Sequence, residues 1–153
     1  MKKVLCVLSF MITVNANANL TVKPCDDQTP TNTEFVVSMK NYYNKSVRVF
    51  HVDTYGEPAC CSSSMLVYIP DSKAEIGGAK CFQVTNGSGF LSLDLNKMES
   101  SKYDPSIGLV LNFPYSIYDN ESQDGSMSKP AVGSIIINLK TETVSPNNLS
   151  ISK

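Results

Sequence analysis

Apolar and polar residues alternate at period two along most of this chain. Over 34–40, Phe35, Val37 and Met39 point one way and Val36, Ser38 and Lys40 the other. Over 90–96, Leu91, Leu93 and Leu95 alternate with Ser92, Asp94 and Asn96. Ile107, Leu109, Leu111 and Phe113 share one face, and Ile135, Ile137 and Leu139 oppose Ser134, Ile136, Asn138 and Lys140. This period predicts half-buried strands, and their polar outer faces suit antiparallel sheets with one side in water. Weaker strands are expected at 20–23, 46–54, 65–69, 80–85 and 144–151, the last kept short or at an edge by Pro146. The run 46–54 differs in kind. Phe50 and Val52 fall opposite Val47 and Val49, so both of its faces are apolar.

Turn residues separate these runs. Asn86-Gly87-Ser88-Gly89 reads as a hairpin connection, with glycines free to take positive φ. Gly77-Gly78 and Tyr103-Asp104-Pro105 mark further turns, 98–103 fits a single turn of helix, and 118–130 reads as an exposed polar loop. Eight or nine short strands without an internal repeat predict an all-β fold. The expected architecture is a single antiparallel β-sandwich, Ig-like in outline. The chain has no Trp, so the tryptophan that packs on the paired cysteines of a true immunoglobulin domain is missing.

The N-terminus departs from period two. Lys2 and Lys3 precede an apolar run from Val4 to Val14, and Ala16 and Ala18 occupy the −3 and −1 positions of a cut after Ala18. That arrangement predicts a secretory signal peptide over 1–18 and one domain over 19–153. Its apolar run is far shorter than the roughly 20 residues of a spanning helix, so no stable membrane anchor is expected. The protein is accordingly expected to be exported, periplasmic or extracellular. Cleavage would leave 135 residues, with 11 basic side chains against 14 acidic ones and Arg48 the one arginine. Nucleic acid needs a dense basic stripe to displace its counterions, so it is not an expected partner.

Export also decides the reading of the cysteines. Cys6 falls in the leader, and Cys25, Cys60, Cys61 and Cys81 remain. Four cysteines in an exported domain predict two disulfides. A bond between neighbours is strained, so Cys60 and Cys61 are expected to reach separate partners, Cys25 and Cys81, in an order the sequence leaves open. Zinc sites use cysteines paired two to four residues apart, a spacing absent here, so no metal is expected.

Groups suited to catalysis are few. His51 is the one histidine and sits in a strand-like run, and no G-x-S-x-G elbow accompanies it. A structural role is expected for it. Asp119, Glu121 and Gln123 alternate as calcium ligands do, but Asp124 stands where an EF-hand loop has its glycine, and a solvated loop is the expectation. No cofactor is implied. Aromatic residues gather at Tyr42, Tyr43, Phe50 and Tyr55, and again at Phe113, Tyr115 and Tyr118. Tyrosines near strand ends supply contact area with a hydrogen-bonding tip, which makes Tyr42, Tyr43, Tyr55, Tyr115 and Tyr118 candidates for a partner surface. The expectation is therefore a non-enzymatic binding module for a protein or an envelope or surface ligand. Two alternatives stand beside it. One is a self-associating subunit of a bacterial surface fibre; the other is a small hydrolase whose two carboxylates the sequence does not single out.

Overall fold

The computed structural model describes residues 20–56, 61–87, 89–121 and 125–147. The expected leader and its cut after Ala18 lie outside these residues, as does Cys60. The described chain is all-β, with two antiparallel sheets and no α-helix. Its strands are β1 (Leu20–Pro24), β2 (Val36–Tyr42), β3 (Val47–Asp53), β4 (Ser63–Pro70), β5 (Ala79–Asn86), β6 (Ser92–Leu93), β7 (Glu99–Ser100), β8 (Leu109–Tyr118), β9 (Ser128–Asn138) and β10 (Thr143–Pro146). The first sheet has the order β1-β5-β4-β3-β2; the second runs β10-β9-β8-β6, with β7 also paired to β8.

One face of each sheet contributes to a common core. Val47 and Val49 of β3, Met65, Val67 and Ile69 of β4 and Val84 of β5 meet Leu109, Leu111, Phe113 and Tyr115 of β8 and Ile135 and Ile137 of β9. These are the period-two positions of each strand, which is why alternation located them. At one end, an ionic cluster joins the sheets. Lys80 of β5 pairs with Glu142 in the β9–β10 turn and, at 3.9 Å, with Asp71 after β4. Glu142 also accepts the Ser72 backbone N–H at 2.9 Å.

Hydrogen bonds from Lys80 and Ser72 push the Glu142 carboxyl down to about 2 from an ordinary 4.5. A depressed carboxyl contributes stability that is complete above the unfolded value and disappears as pH falls through the folded one. Unfolding midpoints are therefore expected to drop as pH falls from about 4.5 to about 2. Glu142→Gln should flatten that limb in urea titrations; an unchanged slope would assign it to other acids.

Several expectations are corrected. Val37 and Met39 are half exposed, at 47% and 50%, instead of facing the core. Asn32 caps a 3₁₀ turn over Thr33–Phe35, and a bulge between Val36 and Ser38 then resets the register of β2. The bulge places one extra residue on that strand and breaks the simple alternation. The run 90–96 is not one strand. After β6 the Asp94 carboxylate accepts the Asn96 N–H at 2.9 Å and caps a second 3₁₀ turn, Leu95–Lys97, where 98–103 had been expected to supply the helical turn. Ile107 is exposed because it closes the turn from Asp104 to Gly108, whose N–H donates to the Asp104 carbonyl at 2.6 Å. The strands β8 and β9 extend into the region expected to be a loop, up to Tyr118 and from Ser128.

The segment beginning at Asn86 is not a hairpin. It carries the chain from β5 in the first sheet to β6 in the second. Gly89 there has φ +153°, and a Cβ on it would lie 2.1 Å from the Cys61 carbonyl oxygen. Only glycine allows that approach, which lets Phe90 pair with Ser63 through backbone bonds of 2.8 and 3.2 Å.

Candidate functional site

The outer face of the first sheet is more apolar than a solvent-facing sheet surface requires. Cross-strand register lays out its rows. Asn41, Arg48, Tyr68 and Cys81 form one, and Met39, Phe50, Leu66 and Gln83 form the next; Val36 and Val52 start a third. Val52 and Leu66 are buried, Leu66 to 2% exposure, yet neither belongs to the core shared by the two sheets.

What covers them is the connection from β1 to β2. These strands are the opposite edges of one sheet, so residues 25–35 have to cross its width. Cys25 donates its N–H to the Cys81 carbonyl at 3.0 Å and is disulfide-bonded to Cys81, with Cα atoms 5.3 Å apart. This corrects the expectation that Cys25 and Cys81 would each take one of the two adjacent cysteines. The pairing of β1 with β5 sets the choice, because Pro24 lies opposite Phe82 and Cys25 therefore arrives beside Cys81. Cys61 is also disulfide-bonded, to a partner outside the described residues. Beyond Cys25, a tight turn shapes the strap: Asp26 accepts the Thr29 hydroxyl at 2.9 Å and the Gln28 N–H at 3.2 Å.

Between strap and sheet lies a groove of about 300 Å³. Thr31 and Thr33 line it from the strap. From the sheet come Val36 of β2, Arg48, Phe50 and Val52 of β3, Leu66 and Tyr68 of β4, and Ala79 of β5. Phe50 and Tyr68 meet edge to face, with ring centroids 5.4 Å apart, so the aromatic wall has a defined shape. Concave, mainly apolar sites with a few placed polar groups are the usual form of small-ligand pockets, and their volumes begin at about 300 Å³.

A second cluster brings together a serine, a histidine and an aspartate. Asp53 and Ser63 are register partners on β3 and β4, and the Ser63 hydroxyl donates to Asp53 Oδ2 at 2.9 Å. His51 Nε2 lies 3.2 Å from the same hydroxyl oxygen. Serine has one proton and Asp53 takes it, so Nε2 must be the donor to Ser63. In a nucleophile–base pair the proton runs the other way, from serine to imidazole. Burial lowers the His51 pKa, with the charges of Asp53 and Asp94 opposing it. Partial burial also works against ionisation of Asp53. Hydrogen bonds from Ser62, the Tyr55 backbone and Ser63, together with the His51 charge, outweigh it and hold that carboxyl below its ordinary range. The chain of bonds ties β3 to β4 at the end of the core.

The tyrosines expected to form a partner surface do not come together. Tyr115 is 4% exposed and packs against Phe90, with ring centroids 4.8 Å apart. Tyr42 packs against the core, and among the described residues neither its hydroxyl nor that of Tyr115 has a hydrogen-bond partner. Tyr43 is exposed and stacks on Tyr103 at 4.6 Å. Tyr55 is exposed beyond the other end of β3, and Tyr118 is exposed at the end of β8, where its hydroxyl reaches the Met127 sulfur at 3.9 Å. Asp119 and Glu121 lie in a turn whose continuation through Gln123 and Asp124 is outside the described residues.

The groove residues were not singled out from the sequence. The one signal was the two-faced apolar character of 46–54, which contains Arg48, Phe50 and Val52. Comparison with protein-family models, with curated proteins and with solved structures finds no match to this chain.

Proposed function

We propose that this is an exported, non-enzymatic binding module whose ligand occupies the groove beneath the disulfide-pinned strap. The observation that carries the reading is the groove itself: about 300 Å³, walled by Phe50, Val52, Leu66 and Tyr68, on a sheet face outside the main core. An Ig-like β-sandwich is the architecture proposed with it, supported by the single core to which both sheets contribute. Cleavage after Ala18 would leave Leu20 two residues into the mature chain, and Leu20 already begins β1. The direction of the Ser63–His51 hydrogen bond favours binding over hydrolysis, since the imidazole is a donor there.

Octanol is the probe that tests the groove, because it has an apolar body and no charge. Titration of isotopically labelled protein should shift the amide resonances of Phe50, Val52 and Leu66. Ala79→Phe, on the groove wall and away from the core, should abolish the shifts by filling the space. Shifts that survive Ala79→Phe, or that appear only elsewhere, would refute the site.

The fibre-subunit reading keeps one supporting observation. The edge of the first sheet at β2 presents half-exposed Val37 and Met39 and has no further strand beyond it among the described residues. Such edges can add a strand from another chain. Sedimentation of the mature protein distinguishes the readings, since the fibre reading requires self-association.

A further inference from the structure

Among the described residues the groove has one charged residue in its lining, and that residue is the only arginine of the chain. Arg48 stands in the β3 row between Asn41 and Tyr68, beside the aromatic wall and on the same side as the strap threonines. Among the described residues it enters no ion pair and makes no side-chain hydrogen bond. The acid nearest in sequence to the strap wall, Glu34, is held at 3.4 Å by the Asn32 amide. The ion pairs among the described residues join other side chains: Lys23 with Asp26 at the start of the strap, Lys97 with Asp94, and the Lys80 cluster. In a chain with more acids than bases, this leaves the guanidinium without a carboxylate partner among the described residues.

We infer that the groove selects a small amphipathic anion, a free organic carboxylate whose apolar body lies against the half-buried rings of Phe50 and Tyr68 and whose carboxylate pairs with Arg48. This rests on the binding-groove reading and adds the chemical class of the ligand. The planar guanidinium fork matches a carboxylate bidentately, and such charge-assisted bonds exceed neutral ones in strength. The neighbouring Tyr68, Thr31 and Thr33 supply hydroxyl groups to the lining of the same groove. Its volume, about 300 Å³, accepts a short alkyl or single-ring acid and not a long lipid. A cation would meet Arg48 with like charge, and a neutral ligand would leave the charge–charge attraction unused.

The test compares three probes sharing one apolar body: octanoate, octanol and octyltrimethylammonium. Octanoate should bind the mature protein roughly two- to fivefold tighter than octanol, the ratio expected of an ion pair open to solvent. Octyltrimethylammonium should bind weakest. Arg48→Gln should remove the octanoate advantage, bringing the octanoate-to-octanol affinity ratio to about one; because Arg48 is exposed, the fold should persist, as checked by an unaltered amide spectrum outside the groove. Arg48→Lys should retain part of the advantage, as a point charge without the fork. Equal binding of octanoate and octanol in the wild type overturns the inference while leaving the groove itself standing. So does an octanoate advantage that persists in Arg48→Gln. Failure of all three probes to perturb the groove overturns both readings together.

Discussion

Replacing both Cys25 and Cys81 by serine is expected to cost about 4 kcal/mol of stability. The bond spans 56 residues, and the chain-entropy treatment of loops gives a loss of about that size when such a crosslink is removed. In a domain of this length the melting temperature should fall by roughly 10–15 °C. Substitution is preferable to chemical reduction, because Cys61 is disulfide-bonded too and a reductant would act on both bonds. The second expectation is local. Without its anchor the strap loses its hold above Cys81, and Thr31 and Thr33 no longer form a fixed wall. Octanol binding should weaken by more than the loss of global stability can explain, even at temperatures where the variant is fully folded. Unchanged binding in a folded serine variant would show that the strap positions itself without the bond.

Phe113→Ala is expected to be as damaging, at about 3–5 kcal/mol, the range for removing a buried aromatic ring. Phe113 is fully buried and forms a triangle with two other rings, 6.2 Å from Phe90 and 5.9 Å from Tyr115. Such ring pairs add about 0.5–1.5 kcal/mol beyond burial alone. Its ring also lies over Gly133, its cross-strand partner. A Cβ on Gly133 would stand 2.6 Å from the ring tip and 3.1 Å from a Leu20 methyl. Gly133→Ala should therefore cost about 1–3 kcal/mol by overpacking, and far less once Phe113 has been truncated. The coupling is measurable by urea unfolding of the two single variants and the double variant. Additive losses would mean that the ring does not depend on the missing side chain.

Those residues also mark where sequence pattern suffices. In β8 and β9 every second residue faces the core, so Leu109, Leu111, Phe113, Ile135 and Ile137 were readable from periodicity. Periodicity fails wherever the chain adds or caps a residue. The bulge before Ser38 turned Val37 and Met39 to solvent, and Asp94 converted an apparent strand into a 3₁₀ turn. The first depends on how β2 pairs with β3; the second is a side-chain cap two residues long, which apolar periodicity does not register. The cysteine pairing was opaque as well: it follows from β1 aligning with β5, an alignment that no spacing between cysteines records. The groove was half legible. A strand apolar on both faces signals something on its second side, but nothing local to 46–54 reveals that the cover is residues 25–35. Tyrosine composition misled, since Tyr115 serves the core.

The pairing of Cys25 with Cys81 has a consequence for the order in which the chain is made. Chains emerge N-terminus first, and Cys60 and Cys61 appear 35 and 36 residues after Cys25, well before Cys81. At about 5–20 residues per second, the correct partner arrives roughly 1–4 s later than the wrong ones. Disulfide formation and reshuffling take seconds or longer, so early oxidation would trap Cys25 on the wrong thiol. The native bond would then be reached by thiolate exchange through a mixed disulfide. The yield of correctly paired protein from synthesis under oxidising conditions should accordingly rise when an isomerase or a redox buffer is present while the chain is being made.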